Sequence, residues 1–225
     1  MKVLENKLEV LENSHISERL VKWGEENFRN FPWRFTFDPF KVAISEMLLR
    51  RTRALQVVAP YNRITAKYSD MCKIAVADRN CLRDLIISLG ICGRVELILK
   101  AANFICENYN GTITSDRDEL TKVPGFGDYT ISAIRVFGFS ERDPLIDANT
   151  VKILGRLLGI KNNDSLRRTN FIHDAYRSIL QNANPVKFGY AILDLGAMVC
   201  TKSPKCQICP IYRYCTYYKN VKIRE

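Results

Sequence analysis

The chain has 225 residues, of which 47% are hydrophobic and 26% are charged, the composition of an ordinary globular protein. No window approaches the roughly 18 uninterrupted apolar residues of a membrane-spanning helix, and the N-terminus MKVLENKLEVLENSHISERL is too charged for a signal peptide, so we expect an intracellular, cytoplasmic protein. The net charge of +10 favours nucleic acid as a partner, although lysine-rich or thermophilic proteins show a similar excess.

Helical periodicity dominates the chain, because apolar residues recur at three- and four-residue spacing and strict alternation is scarce. This pattern predicts an all-α fold. The helical segments are, in chain order, ISERLVKWGEENF, KVAISEMLLRRTRALQVVAPY, LRDLIISLG, VELILKAANFICENY, NTVKILGRLLGI and KFGYAILDLGAMVC. The turn sequences between them are FPWRFTFDP, NYNGTITSD, VPGFG, SERDPL and NANP, without a long linker or an internal repeat.

Glu46 is the first candidate functional side chain along the sequence. Within AISEMLLRRTR it shares a helical face with the apolar Val42 and Leu49, which predicts that its carboxyl group is more buried than that of a surface glutamate. For an isolated residue, an i,i+4 ion pair with Arg50 is the simpler explanation. The arginines that follow Glu46 could contact a ligand or could simply form a basic face in contact with solvent.

A glycine-rich turn follows at residues 123 to 130, which read VPGFGDYT. The preceding stretch SDRDELTKV is compatible with a helix capped by Ser115, and the following stretch is apolar and helical, so a helix, a hairpin and a second helix are predicted. Amide N–H groups at the start of the second helix lack acceptors and lie at the positive end of its dipole, where a phosphate binds. A helix–helix turn without any ligand is the alternative, in which Tyr129 only packs.

Asp147 lies in DPLIDANTVKILGRL, between a proline-containing loop and an apolar helix. From this segment alone, the favoured role of its side chain is to cap the helix N-terminus.

Four of the eight cysteines lie close together near the end of the sequence, in the pattern C-x5-C-x2-C-x5-C. Four thiolates over so short a span predict one metal centre, and both zinc and a [4Fe-4S] cluster accept four thiolate ligands. This uneven distribution favours a local metal site over a disulfide framework. The predicted ligands are Cys200, Cys206, Cys209 and Cys215.

Taken in this order, Glu46, the hairpin, an aspartate about twenty residues later and the cysteine loop resemble the endonuclease III superfamily of helix-hairpin-helix DNA glycosylases. The resemblance covers roughly residues 27–218. It implies a six-helix barrel at 35–140, with the helix-hairpin-helix at about 116–138, and a helical domain formed by 1–34 together with 141–225. It also implies a [4Fe-4S] cluster in the loop 200–215, where relatives commonly have six residues between the first two cysteines and TKSPK has five.

The resemblance further implies an enzyme of base excision repair, associated with the nucleoid, that acts as a monomer on double-stranded DNA with a flipped mismatched base. Asp147 would stabilise positive charge on the sugar, Glu46 would contact the extruded base or a nearby water, and Tyr129 would form a wall of the base pocket. The implied DNA contacts are Val123, Gly125, Phe126, Gly127, Asp128 and Thr130 in the hairpin, and Arg50, Arg51 and Arg53 after the Glu46 helix.

The residue after Gly-x-Gly-x separates the chemistries within this superfamily. Bifunctional members carry a lysine there and adenine mismatch glycosylases usually a serine, whereas Tyr129, with WRFTFDPFKV and SEMLLRRTRA, is similar to glycosylases that remove thymine or uracil opposite guanine. We therefore expect a monofunctional glycosylase without strong abasic-site lyase activity. The alternatives are an adenine-DNA mismatch glycosylase and a DNA-binding module without catalysis.

Overall fold

A computed structural model of the chain describes residues 11–12, 15–90, 93–160 and 164–222, and every regular element in these ranges is helical. The all-α prediction is therefore confirmed. The α-helices are α1 (Ile16–Glu26), α2 (Pro39–Leu49), α3 (Ala54–Lys67), α4 (Met71–Ala75), α5 (Arg79–Ile86), α6 (Gly93–Tyr109), α7 (Arg117–Lys122), α8 (Asp128–Ala133), α9 (Ala148–Leu158), α10 (Asn170–Leu180), α11 (Pro185–Met198) and α12 (Thr216–Lys222). Short 3-10 turns lie at Pro32–Phe35, Ile87–Leu89, Asp164–Arg168, Cys206–Ile208 and Tyr212–Tyr214, and a π-helical turn lies at Ile134–Gly138.

The chain divides into two compact units, which we call the terminal unit (Met1–Arg29 with Arg142–Glu225) and the central unit (Asn30–Glu141). The sequence predicts the boundaries between the two domains at 34/35 and 140/141, whereas the boundaries of the two units in the structure lie at 29/30 and 141/142. Residues 30–34 belong to the central unit because Trp33 is buried there, with its ring 5.5 Å from that of Tyr61 in an edge-to-face contact. None of the described helices is long and apolar enough to cross a membrane.

The central unit is built around α2, in which every residue from Val42 to Leu48 is buried. A helix that is apolar on nearly all sides has to be enclosed by other elements. Helices α3, α6 and α8 pack around α2, so Glu46 is held in the middle of the unit. Asp38 starts α2, because its carboxylate accepts a hydrogen bond from the Phe40 amide and Pro39 fixes the first helical residue.

The terminal unit has α11 as its central helix, packed against α1 and α9. The α1–α11 contact requires a glycine, because a Cβ atom on Gly24 would lie 2.5 Å from the Cβ of Ala191. A buried ion pair also joins the two chain segments of this unit, with Arg29 Nε 2.5 Å from Oδ1 of the fully buried Asp194. The ion pair thus ties Arg29, which follows α1, to Asp194 of α11. Helix α11 in turn packs against α9, which begins directly after Asp147.

A disulfide in the central unit joins Cys72 of α4 to Cys106 of α6, and its Cα atoms are 4.9 Å apart. The sequence analysis favours a metal site over a disulfide framework and does not identify this single pair, which lies outside the four-cysteine loop. The physical reason is that α4 packs along α6, a tertiary contact that residue spacing does not reveal. The capping prediction for α7 also needs correction, because its N-cap is Asp116 and not Ser115: the Asp116 carboxylate accepts hydrogen bonds from the Asp118 and Glu119 amides.

Candidate functional site

The predicted hairpin is formed by α7, the turn Val123–Gly127 and α8. Gly125 has φ of +86°, a left-handed conformation that L-residues rarely adopt. A Cβ atom there would lie 2.5 Å from Cδ1 of Leu97 on α6. Both backbone conformation and space therefore require glycine at this position, and the turn is packed directly against α6.

The hairpin residues predicted to contact DNA fall into two groups. Val123, Phe126 and Thr130 are buried, so their side chains are not available to a ligand, and the Phe126 amide already donates to the Val123 carbonyl within the turn. Gly127 and Asp128 are exposed at the first turn of α8, where amide groups have no intrahelical acceptor. The arrangement therefore offers backbone donors, and not side chains, to an anion.

Tyr129 lies half-buried on the first turn of α8. Five residues further on, α8 passes into the π-helical turn Ile134–Gly138. Single π-helical turns are rare in proteins and frequently lie at functional sites. The helix that carries Tyr129 therefore departs from regular geometry within two turns of it.

The loop Arg50–Arg53 connects α2 to α3, and the side chains of Arg50, Arg51 and Arg53 are all exposed. Arg50 Nη1 donates to the Gly125 carbonyl at 3.0 Å, which links the loop directly to the hairpin turn. Arg51 has φ of +55°, an uncommon conformation for a residue with a Cβ atom. Glu46 is one turn before Arg50 on α2 and is 7% exposed.

Arg94 is a residue that the sequence analysis did not identify. It is the second residue of α6 and is 4% exposed, and its guanidinium donates to the carbonyls of Leu48 and Arg50, both at 2.7 Å, and to Thr52 Oγ1 at 2.9 Å. Burial first, and then the charge of Arg50, lower the pKa of Arg94 from its ordinary value. A cation in the first turn of a helix opposes the helix dipole, but the sequence does not identify its acceptors, which lie 42–46 residues earlier in the chain.

Asp147 in the terminal unit is the N-cap of α9, as its sequence environment predicts. Its Oδ1 accepts a hydrogen bond of 2.7 Å from the Thr150 amide, and its Oδ2 lies 3.4 Å from the Asn149 side-chain amide. Lys152 Nζ in turn donates to Asn149 Oδ1 at 2.9 Å, and burial lowers the pKa of Lys152. A fixed, half-buried carboxylate and a short polar chain of Asn149 and Lys152 thus lie at the start of α9.

The four cysteines of the loop 200–215 line one cavity of about 30 Å³ in the terminal unit. Arg156 of α9 supports this loop, because its guanidinium donates to Cys200 Sγ at 3.2 Å and to the Thr201 carbonyl at 2.7 Å and lies 5.0 Å above the Tyr217 ring. Burial raises the pKa of the Cys209 thiol to about 12. Asp147 and the cysteine loop are therefore attached to the same helix.

The donor set can be tested against the predicted metal centre. Among the described residues, no group of three or more His, Cys, Asp or Glu side chains is arranged to hold a metal ion. The four thiols that line the common cavity are soft donors, which both a zinc ion and an iron-sulfur cluster accept as ligands. The site thus contains four thiol groups around one cavity, and the Arg156 guanidinium lies beside the thiol of Cys200.

Comparison with known proteins identifies relatives along almost the whole chain. A thymine-DNA glycosylase of Aeropyrum pernix is 33% identical over 211 residues, which are 91% of this chain and 95% of that protein. A thymine/uracil-DNA glycosylase of Pyrobaculum aerophilum is 31% identical over 209 residues, which are 90% of this chain and 91% of that protein. No protein-family model matches the sequence.

Two solved structures are similar in fold. The structure of a thermostable thymine-DNA glycosylase superimposes with a TM-score of 0.85 at 25% identity, covering 96% of this chain and 98% of the other. A non-covalent complex of endonuclease III with DNA superimposes with a TM-score of 0.74 at 21% identity, covering 93% and 95% of the two chains. The second likeness concerns the fold alone.

Proposed function

The chain belongs to the endonuclease III superfamily of helix-hairpin-helix DNA glycosylases, and on this premise we propose that it hydrolyses the N-glycosidic bond of thymine or uracil mispaired with guanine in DNA. The observation that carries the proposal is the identity of 33% to a thymine-DNA glycosylase along 91% of the chain. Tyr129, at the position that separates the chemistries of the superfamily, supports the same substrate class.

DNA binding would use the central unit. The backbone donors at Gly127 and Asp128 would hold a phosphate, and the exposed Arg50–Arg53 loop would enter the space that the target base vacates. Excision requires such a flipped base, because the bond between C1' of the sugar and N1 of the pyrimidine is inaccessible within a duplex. A T·G or U·G mismatch opens more readily than a Watson–Crick pair, which contributes to selectivity.

At the reacting bond, the pyrimidine leaves with the bonding electron pair on N1 while positive charge develops on C1' and the ring oxygen of the sugar. The Asp147 carboxylate would stabilise that charge and orient a water molecule, whose oxygen forms the new bond to C1' and whose proton is released. The hydrogen bonds from the Thr150 amide and Asn149 support this role by fixing the carboxylate in one orientation.

Glu46 and Tyr129, which both belong to the central unit, would contact the extruded base. The buried carboxyl group of Glu46 would contact the extruded base or a water beside it, and the Tyr129 ring would stack on the base. A tyrosine has no amine with which to attack C1', so the product would be an intact abasic site. We therefore propose a monofunctional enzyme, without a Schiff base at position 129.

We also propose that Cys200, Cys206, Cys209 and Cys215 hold a [4Fe-4S] cluster. The support is their common cavity and the hydrogen bond from Arg156 to the Cys200 thiol, since hydrogen bonds to ligand sulfurs are typical of such sites. When bound, the cluster would cross-link the loop and leave the reaction itself to the protein side chains.

The experiment that tests the function combines a panel of duplexes with one substitution. Wild-type protein should excise the base from T·G and U·G duplexes, leave A·G and A·8-oxoguanine duplexes intact, and produce strand breaks only after hot alkali. Asp147→Asn should reduce the single-turnover rate by at least about 1,000-fold, because the charge is lost while the amide oxygen still caps α9. Asp174→Asn, at an exposed aspartate of α10 in the same unit, is the matched control and should react at the wild-type rate.

Excision of adenine from the A·8-oxoguanine duplex would replace the proposal with an adenine glycosylase. Binding to all duplexes without any excision would replace it with a DNA-binding module. A covalent complex of wild-type protein that is trapped by borohydride would contradict the monofunctional assignment. If Asp147→Asn excised the base at the wild-type rate, Asp147 would be a helix cap only.

A further inference from the structure

Arg94 carries a buried positive charge for which hydrophobic packing gives no reason. Transfer of a charge from water into a protein interior is costly unless hydrogen bonds replace those to water. Among the described residues, the hydrogen-bond acceptors of Arg94 are neutral oxygens: the carbonyls of Leu48 and Arg50 and the hydroxyl of Thr52. The buried arginine therefore serves to hold those three acceptor groups in fixed positions relative to one another.

All three acceptors belong to one place in the chain, the end of α2 and the start of the Arg50–Arg53 loop. The last carbonyls of a helix have no intrahelical donor, and Arg94 supplies donors to two of them with the rigid fork of its guanidinium. Directly after the Arg50 carbonyl, the backbone turns through Arg51 with φ of +55°. Such a conformation persists only where the surrounding structure holds it in place.

The same helix that carries Arg94 also supports the hairpin. Leu97, one turn after Arg94 on α6, fills the space against Gly125 that a Cβ atom would occupy. Arg50 then closes the connection, because its side chain donates to the Gly125 carbonyl while its own carbonyl accepts from Arg94. Loop, hairpin turn and α6 thus form one continuous network inside the central unit.

We propose that Arg94 is a positioning residue that holds the Arg50–Arg53 loop in its left-handed turn at a fixed distance from the hairpin, so that a loop side chain enters the DNA stack as the target base leaves it. This inference rests on the proposed function. Arg94 touches neither the base nor the sugar. It acts on base extrusion, and not on bond cleavage or general affinity for DNA.

The test compares Arg94→Met with Arg83→Met, a control that removes an exposed arginine from the same unit without touching the loop. Each protein is mixed with a U·G duplex that carries 2-aminopurine beside the uracil, so that the rise in fluorescence reports extrusion and single-turnover product reports cleavage. For Arg94→Met, both rates should fall about 100-fold, since misplacement by about 1 Å costs that much. Its Kd for an undamaged duplex should stay within about threefold of wild type, as for the control.

A milder variant covers the case in which Arg94→Met does not fold. Thr52→Val keeps the shape of the side chain but removes its hydroxyl, which accepts from Arg94 at 2.9 Å and itself donates to the Arg50 carbonyl at 3.2 Å. The loss of the hydrogen bond from Arg94 alone should slow extrusion about fivefold, the value of one hydrogen bond, and the loss of the second should slow it further. Extrusion at the wild-type rate in the folded variant overturns the inference, and so does a loss of cleavage with unchanged extrusion. Wild-type protein that extrudes uracil without cleaving it would defeat the proposed function alone, so the two failures are distinguishable.

Discussion

Two loops of the molecule each accept hydrogen bonds from a single arginine side chain, but only one of them also lines a cavity. In the central unit, Arg94 donates to two carbonyls at the start of the Arg50–Arg53 loop, and in the terminal unit, Arg156 donates to two carbonyls and one thiol of the loop 200–215. The acceptors of Arg94 are all satisfied by the polypeptide itself. The four thiols, in contrast, line a cavity, so the cysteine loop is organised for a ligand. The Arg50–Arg53 loop is therefore self-supporting, whereas the cysteine loop would be completed by the proposed cluster.

Loss of one cysteine ligand is the strongest way to break this comparison. Cys209→Ala should abolish iron binding, from about four iron atoms per chain to less than one, because a cubane cluster requires all four thiolates. Hydrogen exchange in residues 199–222 should then accelerate by at least about 100-fold, whereas amides of the Arg50–Arg53 loop and the hairpin should exchange as in wild type. The measurements are iron analysis after anaerobic purification and hydrogen exchange by mass spectrometry.

Stoichiometric zinc in place of iron would overturn the cluster assignment. Unchanged exchange in residues 199–222 would show that the loop needs no ligand and would remove the difference between the two loops. Cys81→Ala is the matched control, since Cys81 lies outside the loop and accepts a hydrogen bond from Lys67.

The next largest expected effect is on the stability of the central unit, which contains the disulfide. Cys72 and Cys106 are 34 residues apart in sequence, and the release of a cross-link of this length lowers the free energy of unfolding by about 3–4 kcal/mol. Cys72→Ser should therefore lower Tm while iron content and the U·G excision rate at 25 °C stay within about twofold of wild type. Calorimetry checks the first value, and unchanged Tm would show that the pair is reduced in the isolated protein.

Substitutions at the two glycines of the hairpin should affect different properties, stability at Gly125 and DNA affinity at Gly127. Gly125→Ala should lower the free energy of unfolding by about 2 kcal/mol, because φ is positive and the added Cβ meets Leu97. Gly127→Ala is its matched partner, with φ of −93° and open space around the new methyl group. It should change stability by less than about 0.5 kcal/mol and weaken DNA affinity, since the methyl group lies where a phosphate approaches. Equal stability of the two variants in urea unfolding would contradict this assignment.

The smallest expected effect concerns the exposed arginines. If the exposed Arg53 contacts a phosphate, as we propose, Arg53→Ala should reduce the slope of log affinity against log salt by about 1. Arg83→Ala, on an exposed surface that no proposed contact includes, should leave the slope unchanged. Identical slopes for both variants would place Arg53 on a solvated face without a role in binding.

Local signals explain what the sequence predicted well. The all-α fold follows from periodicity, the hairpin follows from PGFG between two helical stretches, and the cap at Asp147 follows from a carboxylate directly before an apolar helix. Each of these depends on residues within about one helical turn of one another. The superfamily membership, predicted from the order of such motifs, is confirmed by the relatives.

Contacts between distant residues explain what sequence reasoning missed. Arg94 and Leu48 are 46 residues apart, and Arg156 and Cys200 are 44 residues apart, so neither hydrogen bond leaves a local pattern. The pairing of Cys72 with Cys106 likewise depends on how α4 packs against α6. The roles of Asp147, Glu46 and Tyr129 in the reaction stay predictions, because they concern a substrate that binds to these side chains.

The disulfide between α4 and α6 has a practical consequence for anyone who handles the protein. The two units contain cysteines in opposite oxidation states, since the central unit contains an oxidised cysteine pair and the terminal unit contains four free thiols, the form in which they would hold the proposed cluster. A thiol reductant added to protect the loop also reduces the cross-link, and aeration that preserves the cross-link oxidises the loop. The solution redox potential is therefore an experimental variable for this chain, to be held between the two midpoints.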